Sequence, residues 1–181
     1  MGKYQKIKHP GILGLVFLLL VFISVTPAFS EGPTWFVYFS PGGGCTQAII
    51  KELDGAKKEV LVQAYSFSSA PIAKALLNAH KRMVQVQVIL DKSQVTQKIL
   101  FCDLFPQYGH SPLDRPRPCN RSYKVMIIDR EMVITGSFNF TKAAEEKNAE
   151  NLLIIRDKEL ARRYLENWQE HAGHSEPYAG K

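Results

Sequence analysis

Alternation between short β-prone runs and amphipathic helical stretches, from Thr34 to Asp91, restricts the fold of this chain more than any other feature. Thr34 to Ser40 alternates and is rich in aromatics, and Pro41-Gly42-Gly43-Gly44 closes it as a loop. Thr46 to Lys57 then places Ile49, Ile50, Leu53 and Ala56 on one helical face. Glu59 to Phe67 reads as a buried strand. Ser69 and Pro71 open a second helix, along which Ile72, Leu76, Ala79 and Met83 recur at helical spacing, and Gln85 to Asp91 is the next strand. Strands alternating with helices in this way require a sheet covered by helices on both faces. Further along, Thr141 caps a helix that runs through Lys147, Asn151 to Arg156 is a strand, and Leu160, Tyr164, Leu165 and Trp168 mark the buried face of a terminal helix.

The 181 residues suffice for one well-buried domain. Lys3, Lys6 and Lys8, the apolar run Gly11 to Val25 and the small-x-small Ala28-Phe29-Ser30 have the order of a cleaved leader, so residues 1–30 read as a signal peptide. A retained anchor is the alternative, although the apolar run is short of the roughly 20 residues a span needs. Export to the periplasm or the medium follows from the first reading. The folded domain is then residues 31–175, and residues 176–181 form a flexible tail. Setting the leader lysines aside lowers the formal charge from +6 to +3. Any affinity for nucleic acid must therefore come from local geometry, not bulk charge. Cys45, Cys102 and Cys119 are an odd set for an exported chain; Cys102 and Cys119 could pair, but nothing in the sequence establishes it.

The chemistry concentrates between Lys124 and Asn139. Val125 to Ile128 and Met132 to Ile134 read as two short strands joined by Asp129-Arg130-Glu131, which puts Lys124 and Asp129 at opposite ends of one strand. Gly136-Ser137-Phe138-Asn139 leaves the second strand, and a glycine there lets the backbone approach a ligand closely. A cation, a carboxylate, a hydroxyl and an amide are more polar chemistry than a buried hairpin needs. A lysine at a strand end is by itself usually a solvated side chain, but in this company it reads as an anion holder. The glycine-rich loop at 42–44 lacks the Gly-Lys-Ser/Thr ending of a nucleotide loop and reads as a turn. His80, beside Lys81 and Arg82, reads as a solvated residue and not as a catalyst.

At these residues the chain resembles the phospholipase D superfamily, whose signature is H-x-K-x4-D-x6-G-S-x-N. Lys124, Asp129, Gly136, Ser137 and Asn139 fall on that spacing without a gap. The resemblance extends to Ala143 through Asn151 and is strongest to the small exported nucleases that carry one motif per chain. It implies an α/β fold, a mixed β-sheet flanked by helices on both faces. It also implies a phosphodiesterase that needs no metal or other cofactor, passes through a phosphohistidine, and acts on nucleic acid at the interface of a C2 homodimer. By position, Lys124 and Asn139 would hold phosphate oxygens and Ser137 would assist through its hydroxyl. Glu150 would orient the imidazole, and Asp129 would brace loops or pair with a base.

The signature's histidine belongs at position 122, and Ser122 stands there. A serine hydroxyl is a poor nucleophile without an adjacent base and is no acid near neutral pH. His110 lies too far away in sequence to substitute. The literal sequence is therefore expected to have little or no activity. Phospholipid as the substrate, and a non-catalytic nucleic-acid binder, are the other readings. Ile99 to Tyr123 also breaks the β/α rhythm, with four prolines and no strand where the alternation calls for one. Back-translated and read one nucleotide later, it can yield family-like words whose last histidine falls at position 122. That points to a compensated pair of frameshifts, which resequencing across these codons tests.

Overall fold

The computed structural model describes residues 32–90, 113–114, 122–173 and 175–177. The leader, His110, Cys102, Cys119 and most of the proline-rich interval lie outside the described residues. Among the described residues, eight strands form one sheet: β1 (Thr34–Ser40), β2 (Glu59–Ala64), β3 (Gln85–Leu90), β4 (Leu113–Asp114), β5 (Lys124–Ile128), β6 (Met132–Gly136), β7 (Glu150–Arg156) and β8 (Glu176–Pro177). Their spatial order is β1-β7-β6-β5-β2-β3-β4-β8. β2 runs parallel to β3, and β3 parallel to β4, whereas β5, β6, β7 and β1 are joined by antiparallel pairings. The sheet is mixed, as expected.

Helices cover both faces. On one, α1 (Cys45–Gly55), α2 (Ala70–Lys81) and the short α3 (Lys142–Glu146) bury Ile49, Leu53, Ile72, Leu76 and Ala144 against Val60, Val62, Met126, Ile134 and Ile154. On the other, α4 (Lys158–Ala172) packs Ala161 and Trp168 against Leu61, Val125, Ile127 and Val133. The pleat explains the division, because successive residues of β2 and β5 point to opposite faces. Trp168 also donates its indole N–H to the Val62 carbonyl at 3.1 Å, which fixes the helix to the central strand. The Asp157 carboxylate caps α4 by accepting from the Glu159 and Leu160 amides.

Several local expectations are corrected. Met83 does not belong to the buried face of α2: the helix ends at Lys81, and Met83 adopts a positive φ and is 89% exposed. The chain has to reverse there to enter β3. Ser69 occupies the N-cap position of α2 but makes no side-chain cap bond; its backbone N–H goes instead to Phe140 O at 2.9 Å. The second strand stops at Ala64, because Phe67 leaves the ladder to bridge Phe140. The interval from Ile99 to Tyr123 does hold a strand, the two-residue β4, beside β3 where the alternation calls for one. Residues 176 and 177, expected in a flexible tail, lie in a strand instead: Glu176 and Pro177 pair with Asp114 and Leu113.

Candidate active site

Lys124, Gly136 and Glu150 come together at one end of the sheet because three neighbouring strands begin or end at the same level. Lys124 opens β5 opposite Ala64, Gly136 closes β6 opposite Leu152, and Glu150 opens β7 opposite Ser40. The antiparallel register of β5 and β6, in which Met126 faces Ile134, continues to place Lys124 level with Gly136. Only 9% of Lys124 is exposed. Burial holds its ammonium below the usual lysine range, and the Glu150 carboxylate acts on it in the opposite direction. Glu150 is therefore an electrostatic neighbour of Lys124, across the sheet end.

Glycine is required at 136. Its φ is +138°, and a Cβ there would collide with the Asn151 carbonyl oxygen. The close approach ties the loop 137–141 to β7. Ser137 Oγ accepts the Asn151 amide N–H at 3.0 Å and its side-chain amide at 3.4 Å, while Phe138 N–H donates to Asn151 O at 3.1 Å. The Ser137 hydroxyl keeps its own proton to donate. Phe138 and Phe140 are buried on either side of Asn139, and Phe140 meets Phe67 edge to face with centroids 5.9 Å apart. Asn139, held between these anchors, has a buried Oδ1 with no hydrogen-bond partner among the described residues. An orphaned acceptor of this kind costs free energy unless function uses it. Thr141 then caps α3 by accepting from Ala144 N–H at 3.1 Å.

Sequence reasoning overlooked two residues. Asn148 donates to Glu150 Oε1 at 3.1 Å and offers its carbonyl to the Ser40 hydroxyl at 3.0 Å, so it positions Glu150. Asn151 holds Ser137 and Phe138. Both lie in the Ala143 to Asn151 run, which the family resemblance marked without revealing these partners.

Asp129 stands apart from this group. It sits in the β5–β6 turn, where Asp129 and Arg130 both have positive φ, and its carboxylate accepts from the amides of Lys57, Lys58 and Glu59 at 2.9, 2.7 and 3.0 Å. The glycine loop does not offer an open anion site either. The Glu145 carboxylate takes the Thr46 N–H at the start of α1 at 2.7 Å, filling the place where a phosphate would sit. Ser122, exposed, is bonded by Lys124: Nζ donates to the Ser122 carbonyl at 2.9 Å and contacts its Oγ.

Residues 49–172 match the family described as "Cardiolipin synthase, PLD-like domain". The chain belongs to the phospholipase D superfamily. It is 42% identical over 142 residues to a protein named phospholipase D from Rickettsia felis, covering 72% of this chain and 65% of that one. The mitochondrial cardiolipin hydrolase of Homo sapiens is 28% identical over 128 residues, 71% of this chain and 51% of the relative. The chain thus spans just under two thirds of the first relative and about half of the second. Nuc, a phospholipase D family member from Salmonella typhimurium, superposes with a TM-score of 0.72 at 35% identity, covering 82% of this chain and 99% of that one. As a phospholipase D superfamily member, the chain carries Lys124, Ser137 and Asn139 on the signature's spacing and departs from it at Ser122.

Proposed function

We propose that this protein is a phosphodiesterase built for nucleic acid, working without a metal as a homodimer whose two sites meet at the interface. The observation that carries the reading is the gathering of Lys124, Gly136 and Glu150 at one sheet end, with Ser137 and Asn139 on the loop that follows. A phosphodiester needs fixed positive charge and preorganised donors on its phosphoryl oxygens. Lys124 supplies the charge, and Ser137 and Asn139 supply donors. The small domain and single motif support nucleic acid by resemblance. The same single motif supports a second copy as the source of the other half of the pocket. Residues 1–30, read as a leader, support a site of action outside the cytoplasm.

Ser122 replaces the group that would attack phosphorus, so turnover is expected to be low. Replacing it with histidine should raise the rate at least about a thousandfold, by analogy with restoring a deleted nucleophile. The test compares Ser122→His with the unaltered chain on plasmid DNA in EDTA, and on lecithin with choline release as the readout. Nicking of the plasmid by the variant alone supports the proposal. Equal rates for the two chains, or choline release without nicking, overturn it. A phospholipid substrate is the second reading, favoured by the names of the Rickettsia and human relatives. Should the chain be a non-catalytic binder instead, DNA binding would weaken with salt as counterions are released, Lys124→Ala would abolish it, and no cleavage would accompany it.

A further inference from the structure

We infer that Ser122 and Lys124 form a nucleophile and base pair that captures a phosphodiester covalently, leaving the Ser122 oxygen in a phosphodiester that keeps the other half of the substrate. This rests on the phosphodiesterase reading and names an activity that the loss of the histidine would otherwise exclude. A serine hydroxyl attacks phosphorus only when a neighbouring group takes its proton. Lys124 is that neighbour. Two residues apart at the entry to β5, the two side chains meet: Lys124 Nζ contacts Ser122 Oγ while it also donates to the Ser122 carbonyl at 2.9 Å. The serine is exposed to an incoming substrate, whereas the lysine is buried to within 9%. That combination suits a lysine acting as a base, since a desolvated ammonium gives up its proton more readily. Among the described residues, Glu150 on β7 is the charged group that acts on Lys124, and it opposes this tendency.

In the fraction of chains whose Lys124 has lost its proton, Nζ takes the Oγ proton as Oγ bonds to phosphorus, and the bond from phosphorus to the leaving oxygen breaks in line. The leaving alkoxide takes a proton from water. The ammonium formed on Lys124 lies beside the charge building on the phosphoryl oxygens and stabilises it. Release of the ester requires water to displace Oγ, with Lys124 returning the proton to it. A serine alkoxide leaves far less readily than an imidazole, so the adduct persists and the chain reacts about once.

The probe is bis(4-nitrophenyl) phosphate, an activated phosphodiester, incubated with the full chain. The expected result is a burst of about one nitrophenolate per chain followed by arrest, and a 4-nitrophenyl phosphoryl group on Ser122 by peptide mass spectrometry. The adduct should survive acid, as a phosphohistidine would not. Labelling should quicken by about tenfold per pH unit until Lys124 is neutral. Ser122→Ala should abolish it, and Lys124→Gln should slow it at least about a hundredfold while circular dichroism shows the fold intact. No label, a label elsewhere, or a label that forms equally fast in Lys124→Gln overturns the inference. In any of those cases, cleavage of plasmid by Ser122→His shows that the phosphodiesterase reading survives, and failure of that variant removes the reading as well.

Discussion

Lys124 and Asp129 stand at opposite ends of β5, Lys124 with Gly136 and Glu150, Asp129 bonded to the amides of Lys57, Lys58 and Glu59. Five residue steps along the chain separate them by about 16 Å, so one phosphoryl group cannot touch both. Asp129 therefore holds the α1–β2 connection to the β5–β6 turn. Asp129→Ala should lower stability by about 2 kcal/mol in urea unfolding, the cost of leaving these amides without their carboxylate. In a Ser122→His background, its rate per folded chain should fall by less than about threefold, against at least about a hundredfold for Lys124→Ala. Equal losses for the two would place Asp129 at the chemistry.

Gly136→Ala combines a backbone conformation that L side chains rarely adopt with a collision against Asn151, whose carbonyl and side chain hold Phe138 and Ser137. The loop can yield only by giving up those bonds. A loss of about 3 kcal/mol in urea unfolding is expected. In the Ser122→His background, the kcat/KM of the chains that do fold should also drop at least about tenfold, because Asn139 rides on the same loop.

The central strands and the helices of both faces were legible because their apolar spacing depends only on which side of the element is buried. Thr141 was legible as a cap for the same local reason. Met83 was not, because its place in the helical period says nothing of where the chain must reverse into β3. Ser69 looks like a cap in sequence, yet Phe140, 71 positions away, claims its backbone. At the site, the signature spacing named Lys124, Ser137 and Asn139, but not what holds them. Asn148 and Asn151 act through partners that only the sheet register brings near, and the Glu145 bond that fills the start of α1 spans 99 positions. The contact between Ser122 and Lys124 could have been suspected from their spacing of two, had the serine not been judged against the histidine it replaces.

Strand β1 lies at the edge of the sheet, and Trp35, Val37 and Phe39 share one face of it with exposures of 65%, 42% and 63%. Three large apolar side chains so placed are costly in water and suit a partner surface. If a second copy covers them, sedimentation should give a dimer at micromolar concentration. The double variant Trp35→Ser with Phe39→Ser should sediment as a monomer, and in the Ser122→His background it should lose at least about tenfold in rate at low concentration. A monomeric parent chain would exclude this interface.

Cys45 is wholly buried in the first turn of α1, and burial, with Glu145 adding to it, pushes its thiol up to about 11. The thiolate is the reactive form, so the folded chain should protect it. In a chain carrying Cys102→Ser and Cys119→Ser, alkylation at pH 8 should proceed only as fast as the protein unfolds, and urea should release it. The raised value also favours the fold below about pH 9, and that contribution should fade as pH climbs from 9 towards 11.

Lys124 contributes to pH dependence with the opposite sign. Its folded value lies below the ordinary 10.5, so in the interval between the two the unfolded chain binds more protons than the folded one. Stability should rise with pH across that interval, and at lower pH the full cost of burying the ammonium is present. Lys124→Met, which keeps the length of the side chain and removes the charge, should therefore be more stable than the parent at neutral pH, with the advantage shrinking as pH approaches 10.5. Urea unfolding at a series of pH values, in a Cys45→Ala background to remove the thiol's own titration, measures the difference directly. A variant that is less stable at every pH would mean that Glu150 more than compensates the burial of Lys124, and that the lysine serves as a structural ion-pair partner. Greater stability without the charge would identify a group kept at a cost to folding, as is expected where a site is organised for chemistry.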